Sequence, residues 1–115
     1  MSERLVYITG EYCPEAEAKL SVFDSAVQLG DCVTESTRTF AQKPFKLRAH
    51  VERLYKSLKI CRFDCGLTVD EMEALSLEVL ERNLPAYGPD QDLWLVHNIS
   101  RGAYPPSGDQ STKRQ

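Results

Sequence analysis

Two stretches of this chain carry apolar residues at helical spacing. Leu47, Val51, Leu54 and Leu58 recur at steps of four, three and four, which stacks them along one face of a helix. Farther on, Thr68-Val69-Asp70-Glu71 sets a hydroxyl at a helix start and a carboxylate three residues later, the capping-box pattern. Met72, Leu75, Val79 and Leu80 then form an apolar face, and Pro85 with Gly88 closes the segment.

The remaining apolar segments read as strands. Leu5-Val6-Tyr7-Ile8 is rich in β-branched and aromatic residues and runs into Thr9-Gly10-Glu11, a turn signal. Residues 20–24 read as extended, and Gly30 marks a special backbone position. Residues 32–40 alternate, with Val33, Glu35, Thr37 and Thr39 on one side, and Gln42-Lys43-Pro44 reads as the turn out. Residues 92–99, with Leu93-Trp94-Leu95-Val96 at their centre, read as a buried strand. The order of strands, helix, helix and strand predicts an α+β fold: a mostly antiparallel sheet with two helices packed on one face. Residues 1–102 form the expected domain. Residues 103–115 lack any period and read as a linker or the start of a second domain.

Composition narrows the function classes. At 115 residues, 42% hydrophobic and 27% charged, the chain suits one soluble globular domain. A net charge of -3 gives no global attraction for nucleic acid or an anionic membrane. No apolar stretch reaches the roughly 20 residues of a membrane-spanning helix. Met1-Ser2-Glu3-Arg4 lacks the apolar core of a signal peptide, so a cytoplasmic setting is expected. Cys13, Cys32, Cys61 and Cys65 lack the paired spacing of zinc knuckles, so reduced thiols and no metal are expected.

Candidate chemistry is sparse. Arg53 adjoins the apolar Leu54, at the border of its helix's buried face, where a guanidinium fork can meet a phosphate or carboxylate, or simply be solvated. Lys46, Arg48, Lys56, Lys59 and Arg62 make this stretch basic, a pattern that commonly means a solvated face. Glu35 and Arg38 lie three apart on a strand and hence on opposite faces, so one points inward and needs a partner. His50 reads as a helix-face histidine. His97 and Asn98 stand near a strand end, where ligands and water are both common neighbours. No nucleophile motif or phosphate loop accompanies them.

Four segments, taken in order, resemble the fold-type IV pyridoxal-phosphate enzymes. Tyr7-Ile8-Thr9-Gly10-Glu11-Tyr12-Cys13-Pro14 is similar to that family's opening hairpin, aromatic-x-Asn-Gly-x-x-x-Pro. Gly30-Asp31-Cys32-Val33-Thr34-Glu35-Ser36-Thr37-Arg38 resembles its Tyr-Gly-Asp-Gly-Val-Phe-Glu-x-x-Arg strand. Phe45-Lys46-Leu47 with His50-Val51-Glu52-Arg53-Leu54 resembles the helix Phe-x-Leu-x-x-His-x-x-Arg-Leu, and Ile99-Ser100-Arg101-Gly102 resembles the Val-Thr-Arg-Gly closing the next strand.

That resemblance, to the branched-chain and D-amino acid transaminases with aminodeoxychorismate lyase as a relative, implies the smaller N-terminal domain of such an enzyme. It implies pyridoxal 5'-phosphate as cofactor, an amino donor and a 2-oxo acid as substrates, and a homodimer. Arg53 would hold the cofactor phosphate. Leu29, Thr34, Arg38, Trp94, Val96 and Asn98 would line one wall of the substrate pocket. No catalytic residue falls in this chain, because the family's Schiff-base lysine belongs to a following domain. A lyase and a non-catalytic domain with the same half-fold are the alternatives. Leu29 and Thr34 replace a tyrosine and a phenylalanine common in the family, and Val96 replaces the arginine of branched-chain transaminases, which leaves the substrate open.

Overall fold

The computed structural model describes residues 3–103. Strands β1 (Leu5–Ile8) and β2 (Glu11–Pro14) form an antiparallel hairpin with Ile8 opposite Glu11. Thr9 and Gly10 make its two-residue turn with φ of 52° and 83°, the positive values that the strand twist demands there. A short helix α1 (Ser25–Leu29) follows, then β3 (Cys32–Phe40) and β4 (Lys43–Pro44). Helices α2 (Leu47–Cys61) and α3 (Val69–Asn83) lead to β5 (Trp94–Ser100). The second sheet has the order β4-β3-β5, and all its pairings are antiparallel.

The core lies between α2 and one face of β3 and β5. Leu47, Val51, Leu54 and Leu58 are all buried, and they pack with Val33, Ile99, Phe63 and Met72. Helix α3 begins on the expected capping box: Thr68 Oγ1 accepts from Glu71 N at 3.1 Å, and Glu71 Oε1 accepts from Thr68 N at 2.8 Å. Its buried row is Met72, Ser76, Leu80 and Asn83. Asn83 ties the hairpin to the helix, accepting from Leu5 N at 2.8 Å and donating to Leu5 O at 3.1 Å. Arg101 joins three elements at the other end. It donates to Asp31 Oδ2 at 2.7 Å and to Cys61 O at 2.6 Å, and its guanidinium lies 4.2 Å from the centre of the Phe63 ring.

The fold is α+β, as expected, with local differences. Residues 20–24 do not form a strand; Asp24 instead caps α1, accepting from Ala26 N at 2.9 Å, and Gly30 ends that helix in the left-handed region. The turn out of β3 is Ala41-Gln42, and Lys43 with Pro44 forms β4. Strand β5 is not buried on both sides, because Trp94 and Val96 are exposed while His97 and Ile99 point inward. The hairpin and the three-stranded sheet are separate, with an open groove of about 780 Å³ between β1, α3 and β5. No helix among the described residues is long and apolar enough to cross a membrane. The four cysteines are free thiols. Of the segment 103–115, only Ala103 is described, bridged to Asp24; Lys113 and its neighbours lie outside the described residues.

Candidate functional site

The alternation of β3 and β5 sorts the polar residues into two groups. Facing α2 are Glu35 and its cross-strand partner His97, with Thr37 beside them. Facing away are three pairs: Thr34 with Asn98, Ser36 with Val96, and Arg38 with Trp94.

On the inner face, Glu35 is only 6% exposed, and three groups satisfy its carboxylate. Arg53 donates from Nε to Oε2 at 2.8 Å and from Nη2 to Oε1 at 2.5 Å, a bidentate pair. His50 Nδ1 stands 2.9 Å from Oε1, and Ser36 N donates to the same oxygen at 3.4 Å. The Arg53 guanidinium, helped by His50, holds the Glu35 carboxyl down at about 2 against the burial that would raise it. Glu35 in turn raises the Arg53 pKa. Yet the Arg53 side chain is 68% exposed, so the ion pair has one buried partner and one that reaches solvent.

His97 is 9% exposed, and burial lowers its pKa, so it is neutral. Its Nε2 lies 2.8 Å from Ser76 Oγ, and Ser76 gives its only hydroxyl proton to Met72 O at 2.7 Å. Ser76 must therefore accept from His97, which places the ring proton on Nε2. The opposite nitrogen, Nδ1, is buried with no partner, as is Thr37 Oγ1. The sequence offered His97 as a residue near a strand end. It is instead part of the interior.

The outward face gathers five of the six expected wall residues. Thr34 Oγ1 donates to Asn98 Oδ1 at 3.0 Å across the strands. Arg38 donates to Thr39 O at 3.0 Å, approaches Asp92 at 3.7 Å and lies 4.0 Å from the centre of the Phe40 ring. Trp94 is 69% exposed and Val96 also faces solvent. Leu29 stands apart on α1, exposed beside Leu20, Val22, Phe23 and Val27, which are exposed as well. Sequence reasoning missed two things: the partners of Glu35 and the Ser76–His97 pair. Signals were present in the four-residue step from Met72 to Ser76 to Leu80 and in the two-residue step from Leu95 to His97 to Ile99.

Chemically, the inner cluster provides a fixed arginine whose far side faces solvent, and the outer face provides an aromatic and aliphatic surface with one cation and one polar pair. Among the described residues no group of His, Cys, Asp or Glu is arranged to hold a metal.

No protein-family model matches the chain. It is 36% identical over 104 residues to the branched-chain-amino-acid aminotransferase-like protein 1 of Arabidopsis thaliana, covering 90% of this chain and 18% of that protein. It is 35% identical over 78 residues to the D-alanine aminotransferase of Staphylococcus haemolyticus, covering 68% of this chain and 28% of the relative. The solved T.th. branched-chain amino acid aminotransferase, complexed with N-(5'-phosphopyridoxyl)-L-glutamate, superposes with a TM-score of 0.76 at 28% identity. That alignment covers 99% of this chain and 39% of the solved one. The chain thus spans well under half the length of these relatives. In sequence and in fold it matches the N-terminal domain of the fold-type IV branched-chain and D-amino acid aminotransferases.

Proposed function

We propose that this chain is the cofactor-phosphate and substrate-wall part of a pyridoxal-phosphate-dependent aminotransferase, which moves an amino group between an amino donor and a 2-oxo acid. The observation that carries it is Arg53: a guanidinium bound on one side by a buried carboxylate and open to solvent on the other. A planar fork of donors suits a phosphate dianion. The phosphopyridoxyl ligand of the solved T.th. neighbour supports the choice of cofactor.

The residues present fit only part of that cofactor. Arg53 suits the phosphate. The described lysines, Lys19, Lys43, Lys46, Lys56 and Lys59, are all exposed, and none is enclosed as a covalent anchor would be. No lysine among the described residues therefore serves as the anchor, and the described domain alone does not transaminate. When bound, the cofactor supplies an electron sink for bond breaking at the substrate α-carbon.

The chain's own residues bind and orient. Arg53 neutralises phosphate charge. Trp94 and Val96 give the outward face an apolar surface that excludes water from an adjoining substrate. Arg38 is its cation, suited to a substrate carboxylate, and Thr34 with Asn98 offers hydroxyl and amide groups. The exposed apolar group Leu20, Val22, Phe23, Val27 and Leu29 suits burial against another subunit, which supports a homodimer of the longer protein.

The test uses a protein carrying the remaining length of the family. Arg53→Ala should weaken cofactor retention by tenfold or more, read by dialysis and visible absorbance. Unchanged retention would remove Arg53 from the site. For this chain alone, pyridoxal phosphate should give no saturable visible band. A stoichiometric band abolished by one lysine substitution would overturn the assignment of the anchor to another part of the protein.

A further inference from the structure

The guanidinium of Arg53 has a side edge, formed by Nε and Nη2, and an end edge, formed by Nη1 and Nη2. Glu35 occupies the side edge with both of its oxygens, at 2.8 Å and 2.5 Å. We propose that Glu35, steadied by His50, is the positioning residue that turns the end edge of Arg53 outward as the edge that receives phosphate. This rests on the phosphate reading above and adds to it the direction of approach and the residue that sets it.

Three observations carry the proposal. First, Glu35 is enclosed and Arg53 is not, so an incoming anion reaches the arginine from the solvent side. Displacing Glu35 from the side edge would leave a buried carboxylate short of a partner, a costly outcome. Second, Glu35 is itself fixed, by its place on β3, by Ser36 N and by His50 Nδ1 at 2.9 Å. Its carboxyl sits at about 2, so it remains an anion at neutral pH and the restraint is permanent. Third, an exposed arginine left alone samples many rotamers, and ordering it on binding costs affinity. The pair with Glu35 does that ordering beforehand. A lysine has no second edge and could not serve a buried carboxylate and a phosphate in two set directions.

The experiment is nitrogen-15 NMR of the arginine side chains in the whole 115-residue chain, with inorganic phosphate as the probe. In the wild type, the Arg53 Nε–Hε proton should exchange slowly and stay unmoved as phosphate is added, while the Nη groups shift. Glu35→Gln should speed Nε–Hε exchange at least tenfold and weaken the phosphate response. Glu35→Asp, with the carboxylate one methylene shorter, should restore part of both. Equal Nε–Hε exchange in wild type and Glu35→Gln would overturn the proposal, as would phosphate releasing Nε–Hε in the wild type by displacing Glu35. Tighter phosphate binding in Glu35→Gln would also overturn it, by making Glu35 a competitor. If Glu35→Gln does not fold, Glu35→Asp decides by the same exchange measurement. Slow exchange that depends on Glu35, with no phosphate shift at all, would uphold the positioning role and sink the phosphate reading alone.

Discussion

Glu35 and His97 face each other across β3 and β5, and the interior treats them in opposite ways. The carboxylate keeps its charge because Arg53 and His50 bind it. The imidazole is held neutral because it is buried and its Nδ1 has no partner for a second proton. Both groups bind protons less readily in the folded chain than in the unfolded one, so acid acts against the fold at each.

Acid should therefore act in two stages. His97 is lowered from 6.5, so its contribution is intact above that pH and is lost as pH falls below it. Glu35 is lowered from 4.5 to about 2, so its contribution is intact above 4.5 and is lost between those values. Urea midpoints measured from pH 7.5 to 3 should fall in both windows. His97→Gln should remove the first decline and keep the second. A flat wild-type curve between pH 7 and 5.5 would contradict the burial assigned to His97.

Thr9 carries a β-branched side chain at φ 52° in the β1–β2 turn. The first position of such a turn favours Asn, which tolerates positive φ. Thr9→Asn should raise stability by about 0.5–1 kcal/mol in denaturant titration, within the ~1–2 kcal/mol that left-handed backbone costs an ordinary residue. A loss of stability would mean that the hydroxyl or methyl contributes more than the backbone strain removes.

Arg101 donates to two carbonyls at the C-terminal end of α2, Cys61 O at 2.6 Å and Arg62 O at 3.4 Å, and also pairs with Asp31. Arg101→Ala should cost about 1–3 kcal/mol, since helix-end carbonyls, the Asp31 carboxylate and the Phe63 face lose a partner together. Arg101→Lys should recover less than half. Equal stability of the alanine variant would show this junction to be redundant.

Thr68→Ala removes one arm of the capping box at the start of α3 and should cost ~1 kcal/mol. Hydrogen exchange should show the loss mainly in the first turn of α3, with α2 unaffected.

Helix α2 was legible because its whole apolar row is buried, so that spacing and structure coincide at Leu47, Val51, Leu54 and Leu58. The two faces of β3 were legible for a similar reason: Val33, Glu35, Thr37 and Thr39 all point inward. Helix α1 was not legible, because five residues are too few to show a period, and its stability comes from Asp24 and Gly30 at its ends. At the start of β5 the run Trp94-Leu95-Val96, preceded by Leu93, is apolar on both faces, which hid the exposure of Trp94 and Val96. The partner of Glu35 was invisible in sequence, because Arg53 lies 18 positions away on another element and only packing brings them together.

The outward face of the sheet also makes a prediction about change. Trp94→Ala should alter stability by less than ~0.5 kcal/mol, since the ring is 69% exposed. The same should hold for swaps at Thr34, apart from its bond to Asn98. Every second residue of β3 meets α2, and the intervening ones meet whatever lies beyond the sheet. One strand therefore keeps two independent ledgers of variation. Substitutions at even-numbered positions, 34, 36 and 38, change the outward surface of the sheet. Those at 33, 35 and 37 alter the buried side, where Glu35 holds Arg53, so the outward surface can vary without touching that ion pair.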